Sequence, residues 1–298
     1  MKTKLMLGML AVVLVLGTGA GWWWHQADQQ RAAVVRVLPA LPDLSASPAM
    51  MRDRLVAADA AARTLGKAQA ALGQLSRLYQ ANGFLEEAVQ CYAALEQFEP
   101  QEPRWAHRHA TILAGYGEIE PALELWRRVV ELAPDYVPAR LRIGDCLLKM
   151  NRSDEAAATY AEVIKRDANN AYALLGLARI DFEAQRWDQA RERLERLVNQ
   201  TNYQLGYDLI VSLYERTGQR DRARAIRAAQ KASGAYRDPP DPWVDELIDD
   251  CFDPDRLALT AGVVMLAGQP DVAKKLLERA SEINPLDVST RLQLGCLD

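Results

Sequence analysis

Residues 75–100 read LSRLYQANGFLEEAVQCYAALEQFEP, and the fold is decided in that stretch. Leu75, Leu78 and Tyr79 recur at helical spacing, and Leu85, Ala88, Val89 and Tyr92 do so again. Gly83 lies between the two runs, where a helix end needs positive φ. Pro100 stops the second run, because proline lacks an N–H and clashes with the preceding turn. The stretch therefore predicts two helices joined by a tight turn. One such hairpin cannot bury its own apolar face, so copies must stack.

Copies are present. Ala88, Ala122, Ala156 and Ala190 stand at a constant 34-residue interval. Twelve residues before each lies a small side chain: Ser76, Ala110, Gly144 and Ala178. Two antiparallel helices must approach closely there, and a large residue would force them apart. Four after each lies a large one: Tyr92, Trp126, Tyr160 and Leu194. Repeats fall at about 69–102, 103–136, 137–170 and 171–204. A fifth, about 204–237, keeps Tyr207, Tyr214, Gly218 and Ala223, shifted by one residue. A sixth, about 254–287, keeps Ala261, Gly268, Ala273, Ala280 and Pro285. Repeat four departs most, with Asp181 at an apolar position and Asn202 in place of the proline.

This pattern resembles the tetratricopeptide repeat family, whose period is 34 residues and whose signature runs Trp, Leu-Gly, Tyr, Ala, Phe, Pro. The resemblance implies an all-α solenoid of stacked antiparallel helix pairs, wound as a right-handed superhelix. It also implies a concave groove, lined by the first helix of each repeat, that receives a peptide or protein. By position the lining would be Arg77, Gln80, Arg104, His107, Thr111, Asp145, Leu148, Lys149, Tyr172, Leu175, Arg179, Phe182 and Glu183. Cations mixed with aromatic and aliphatic side chains suit an extended peptide bearing acidic groups. Gly73 and Arg77 occupy the first two columns where a chaperone-binding subgroup carries its Lys/Asn clamp, so that clamp is not reproduced.

The amino terminus carries a second signal. Lys2 and Lys4 precede an uncharged run from Leu5 to Trp24. As a helix that run would span roughly 30 Å, about one hydrocarbon core. An uncleaved anchor would set Trp22, Trp23 and Trp24 at the membrane–water interface. A cleaved signal peptide would use Thr18-Gly19-Ala20. The anchor is the favoured reading of residues 1–25. It leaves the lysines cytoplasmic and the array on the periplasmic or extracellular side of a single-pass bacterial inner-membrane protein. Cleavage would instead give a secreted or periplasmic protein. Residues 26–68 read as a proline-containing tether followed by a capping helix from Ala49, with Met51, Leu55, Ala58 and Leu65 on one face.

Between repeats five and six the beat breaks. Residues 238–253 form an insert with seven carboxylates, Asp238, Asp241, Asp245, Glu246, Asp249, Asp250 and Asp253. It has no central glycine for a calcium loop. It reads either as a surface loop pinned by Trp243, Leu247 and Phe252, or as a contact element between two sub-arrays or toward a basic partner. Residues 288–298 look like the first half of a seventh repeat, read either as a terminal capping helix or as the start of a repeat whose array continues.

Net charge is −4 over 298 residues, so no general attraction to nucleic acid is expected. No phosphate loop, nucleophile elbow or zinc spacing occurs. His107 and His109, two apart on a helix, point to different faces and cannot share one metal; a surface or groove role is expected of them. Cys91, Cys146, Cys251 and Cys296 are widely spaced, which predicts buried free thiols over a disulfide. The sum is a non-catalytic interaction scaffold with no cofactor. The alternative is the recognition arm of a larger enzyme, such as a glycosyltransferase carrying such an array.

Overall fold

The computed structural model describes residues 21–201, 203–229 and 239–295. Their regular structure is helical, and among them there is no strand. The helices fall into two compact units that divide after Pro100.

The first unit holds α1 (residues 21–37), α2 (Ala49–Ala62), α3 (Ala68–Ala81) and α4 (Leu85–Phe98). Residues 26–37, expected as tether, are helical. The stretch is rich in Ala, Gln and Arg, which are good helix formers, and Asp28 pairs with Arg31 one turn on at 2.7 Å. Pro39 follows the end, as the restriction before proline requires. Ala27 and Val34 are buried, and Gln90 of α4 donates to the Val37 carbonyl at 3.1 Å. Helix α2 packs on α3 and buries Met51, Leu55, Ala58 and Ala62. Leu65 lies beyond its end, in a turn. The apolar run before Gly21 lies outside the described residues. Among those described, no helix is long and apolar enough to cross a membrane. Trp22, Trp23 and Trp24 are all exposed.

The second unit begins with three in-phase hairpins: α5 (Pro103–Gly115) with α6 (Ile119–Leu132), α7 (Val137–Lys149) with α8 (Ser153–Arg166), and α9 (Ala171–Glu183) with α10 (Trp187–Gln200). Then come α11 (Gln204–Arg216) with α12 (Arg220–Ala229), the short α13 (Pro242–Asp245), and α14 (Pro254–Leu266) with α15 (Pro270–Ile283). Helix α16 (Val288–Gly295) packs on α15 and leaves Val288 and Leu292 exposed. Cys296 and Asn202 lie outside the described residues.

The turn between paired helices takes positive φ in every repeat: Gly83, Gly117, Asn151, Gln185, Gly218 and Gly268. Gln185 has no glycine-like freedom and no short side chain to bond locally, so its left-handed backbone is strained. Repeat four tolerates Asp181 because that buried carboxylate accepts from Arg186 at 2.8 Å and Arg193 at 2.7 Å. A buried carboxylate without such partners would be costly. Cys91, Cys146 and Cys251 are free and buried. Burial pushes the Cys91 thiol up to about 12 and the Cys146 thiol up to about 11, so neither forms the reactive thiolate near neutrality.

The small-residue column acts at Tyr160. Its ring lies between Gly144 of its own repeat and Gly176 of the next, and a Cβ on either glycine would stand 2.5 Å from the ring. Gly144→Ala is expected to cost about 1–3 kcal/mol by overpacking, read as a lower urea midpoint. Gln185→Gly should act oppositely and raise stability by up to about 1 kcal/mol through relief of the strained turn. An unchanged midpoint in the same titration would contradict that.

Candidate recognition face and its occupant

The first helices of the array approach one another more closely than the second helices do. Helix α7 touches α9, and α9 touches α11, with no comparable approach between α8 and α10. The first-helix side is therefore the inner face across repeats three to five of the second unit.

The residues expected to line that face divide into four groups, with His107 apart. Arg77 and Gln80 belong to the first unit, where Gln80 accepts from the Tyr92 hydroxyl at 2.7 Å. Arg104, Lys149, Arg179 and Glu183 are exposed on the second unit. Arg104 is folded back on Glu102 at 2.8 Å. Thr111, Asp145, Leu148 and Tyr172 are half-buried. Thr111 bonds the Arg108 carbonyl, and Tyr172 meets Tyr203 edge-on. Asp145 accepts from the Tyr160 hydroxyl at 2.6 Å. Burial raises its carboxyl despite that bond and the nearby Arg142, Arg179 and Lys149 cations. Leu175 and Phe182 are buried, with Phe182 held edge-on by Trp187 and covered by Arg216.

His107 departs from expectation: it is wholly buried, not open on a groove. Its Nδ1 accepts the indole N–H of Trp126 at 3.1 Å, so Nε2 carries the ring hydrogen. That hydrogen points at Asp241 of the insert, with Nε2 lying 2.8 and 3.0 Å from the two carboxylate oxygens. The insert has come back across more than a hundred residues to cover the first-helix face of repeat two.

Five further contacts fix it there. The Tyr136 hydroxyl, on the residue just before α7, donates to Asp241 at 2.6 Å and accepts from the Trp243 amide at 3.1 Å. The Tyr136 and Trp243 rings stack with centroids 3.5 Å apart and planes 7° from parallel. Arg108, buried on α5, donates to the Trp243 carbonyl at 2.9 Å and pairs with Glu246. Burial acts to raise the Asp241 carboxyl. The hydrogen bonds from His107 and Tyr136, with the Arg142 charge, outweigh it and hold the group below the usual carboxylate range. Burial raises neighbouring Asp245, and the Asp241 charge adds to that.

The far end of the insert is tied to repeat six. Arg279 of α15 donates to the carbonyls of Ile248 at 2.9 Å and Asp249 at 2.7 Å, and covers the Phe252 ring. Of the three expected pins, Leu247 and Phe252 are buried and Trp243 is half-buried against Tyr136. Asp238 lies outside the described residues. Sequence reasoning missed Tyr136, Arg108 and Arg142 as site residues. A signal was available for two of them, since Arg108 and Arg142 stand one 34-residue period apart.

A tetratricopeptide repeat family model matches residues 113–173 and 154–205, the stretch from the end of α5 to the start of α11. DnaJ homolog subfamily C member 3 of Bos taurus is 32% identical over 92 residues, 31% of this chain and 18% of that protein. Protein O-mannosyl-transferase TMTC3 of Homo sapiens is 30% identical over 82 residues, 28% of this chain and 9% of that protein. The chain thus spans less than a fifth of either curated relative. A tetratricopeptide repeat protein from Parabacteroides merdae shares the fold at a TM-score of 0.52 and 15% identity, over 83% of this chain and 92% of that one. The architecture is an all-α solenoid of tetratricopeptide type.

The Asp241 contacts make a double-mutant cycle decisive. Tyr136→Phe against Asp241→Asn should show a coupling of about 1–3 kcal/mol at neutral pH, as for a hydrogen bond to a charged group. The folded Asp241 carboxyl lies below its unfolded value, so its contribution is full above about pH 4 and is lost as pH falls through the lowered value. Urea unfolding of the four proteins at neutral and acid pH measures both. A coupling near zero at pH 7 would mean the contact is passive.

Proposed function

We propose that this chain is a non-catalytic interaction scaffold whose first-helix face binds a protein or peptide partner. One observation carries the reading: on repeat two that face already holds a short helical acidic segment through side-chain contacts, in a solenoid of tetratricopeptide type. Exposed Lys149 and Arg179 extend the cationic character of the face beyond the segment, and Tyr172 adds an aromatic surface. The apolar run from Leu5 to Trp24, with lysines before it and tryptophans at its end, supports a location on the exported side of an inner membrane. Cleavage after that run would release the same scaffold as a soluble exported protein.

A second reading is favoured by the match to an O-mannosyl-transferase, in which the shared residues make up 9% of the relative. Here the array would be the recognition part of an enzyme assembly, with the chemistry residing in other polypeptide.

The test is co-purification from native membranes with the full chain as bait, against a Lys149→Glu/Arg179→Glu variant. Partner recovery should fall about tenfold or more in the variant, since two attractive charges become repulsive. Equal recovery would remove the groove from the reading. A glycosyltransferase in the eluate would favour the enzyme-assembly form.

A further inference from the structure

The contact between insert and repeats has the anatomy of peptide recognition more than of a structural strut. A strut is held by buried apolar side chains, and α13 itself buries none; the buried Leu247 lies beyond it, on the side that Arg279 grips. What holds this end of the insert is a carboxylate, a stacked indole and a main-chain carbonyl, each met by a side chain of repeats two and three. Asp241 takes hydrogen bonds from His107 and Tyr136. Trp243 lies flat on Tyr136 and edge-on to His107. Arg108 reads the Trp243 carbonyl and the Glu246 carboxylate, and the Arg142 charge faces both Asp241 and Asp245. Carboxylate, aromatic ring and backbone carbonyl are what a short peptide segment, here one turn of helix, offers its receptor.

We propose that residues 239–246 are a tethered internal ligand, anchored by the buried Leu247 and by the carbonyls that Arg279 holds. The cradle of His107, Arg108, Tyr136 and Arg142 then serves an acidic, tryptophan-bearing segment of a partner protein, which binds by displacing them. This rests on the reading of the first-helix face as a recognition surface and adds the partner's chemistry. A tethered ligand competes at an effective concentration of order millimolar, so the resting chain binds weakly, and release of the insert strengthens binding by the ratio of that concentration to the segment's own dissociation constant. The partner segment carries a carboxylate two residues before a tryptophan and a second acidic residue three after it, the spacing of Asp241, Trp243 and Glu246.

The probe is a fluorescein-labelled peptide, PPDPWVDELIDD, the sequence of residues 239–250, read by anisotropy against the full chain. Asp241→Ala/Trp243→Ala in the chain empties the cradle without touching it. That variant should bind the peptide at least tenfold more tightly than wild type, and a further Tyr136→Ala should abolish the gain. Asp241→Asn, which keeps the ring stack, should give an intermediate affinity, so the comparison survives if the double variant loses helical content. Equal affinity for wild type and Asp241→Asn, or no binding by a double variant of native circular dichroism, overturns the proposal. Light scattering provides a further check. A wild-type dimer that the double variant cannot form would assign the cradle to a second copy's insert, and so overturn the partner assignment. If the peptide fails while the Lys149/Arg179 variant still loses its partner, this inference falls and the scaffold reading stands.

Discussion

The structure depends on how closely two helices of a hairpin can approach. A single hairpin leaves one apolar face in water, so each repeat gains stability only by stacking on the next. Stacking at this spacing needs large side chains on one helix to meet small ones on its neighbours. Tyr160 between Gly144 and Gly176 is the plainest case, since no β-carbon fits on either side of its ring. The alanines Ala88, Ala122, Ala156 and Ala190, all fully buried, hold the same distance in the other column. With that distance kept in the second unit, α7, α9 and α11 lie side by side on one face.

That face is linked to the core through one histidine. Trp126, a core residue of α6, has its indole hydrogen satisfied by His107, and His107 is satisfied in turn by Asp241. Core packing thereby sets the tautomer of the imidazole, and the tautomer sets which atom faces the insert. The same position on a neighbouring repeat lacks this arrangement, because its large core residue is Tyr160, whose hydroxyl goes to Asp145. The insert thus seats at repeat two for a local chemical reason.

The hairpins were legible in sequence because their determinants are local: apolar spacing, a turn residue and a small column repeating at 34 residues. Gly83 marks the turn, and glycine recurs there at Gly117, Gly218 and Gly268. Gln185 continues that column in the left-handed region without any glycine-like signal in its side chain. Helix α1 was missed because Pro39 and Pro42 suggested a tether, although proline ends a helix without preventing one before it. The inner-face side chains were named by column, which cannot see that a distant segment covers some of them. His107 looked like an open groove residue, and its burial depends on residues 134 positions later. Asp241 and Trp243 stood out within the insert, but their destination depends on long-range geometry that no local pattern encodes.

Solenoids ordinarily unfold in pieces, since each repeat is coupled only to its neighbours. The bond between His107 and Asp241 closes a loop of 134 residues, and Arg279 grips the same insert from repeat six. A linear stack thereby becomes a clasped ring. Fraying from either end of the second unit meets a closure that must open first, so repeats two to six should melt as one cooperative block. Force applied along the chain should find a single tall barrier at the clasp where an open array would show a staircase of small ones.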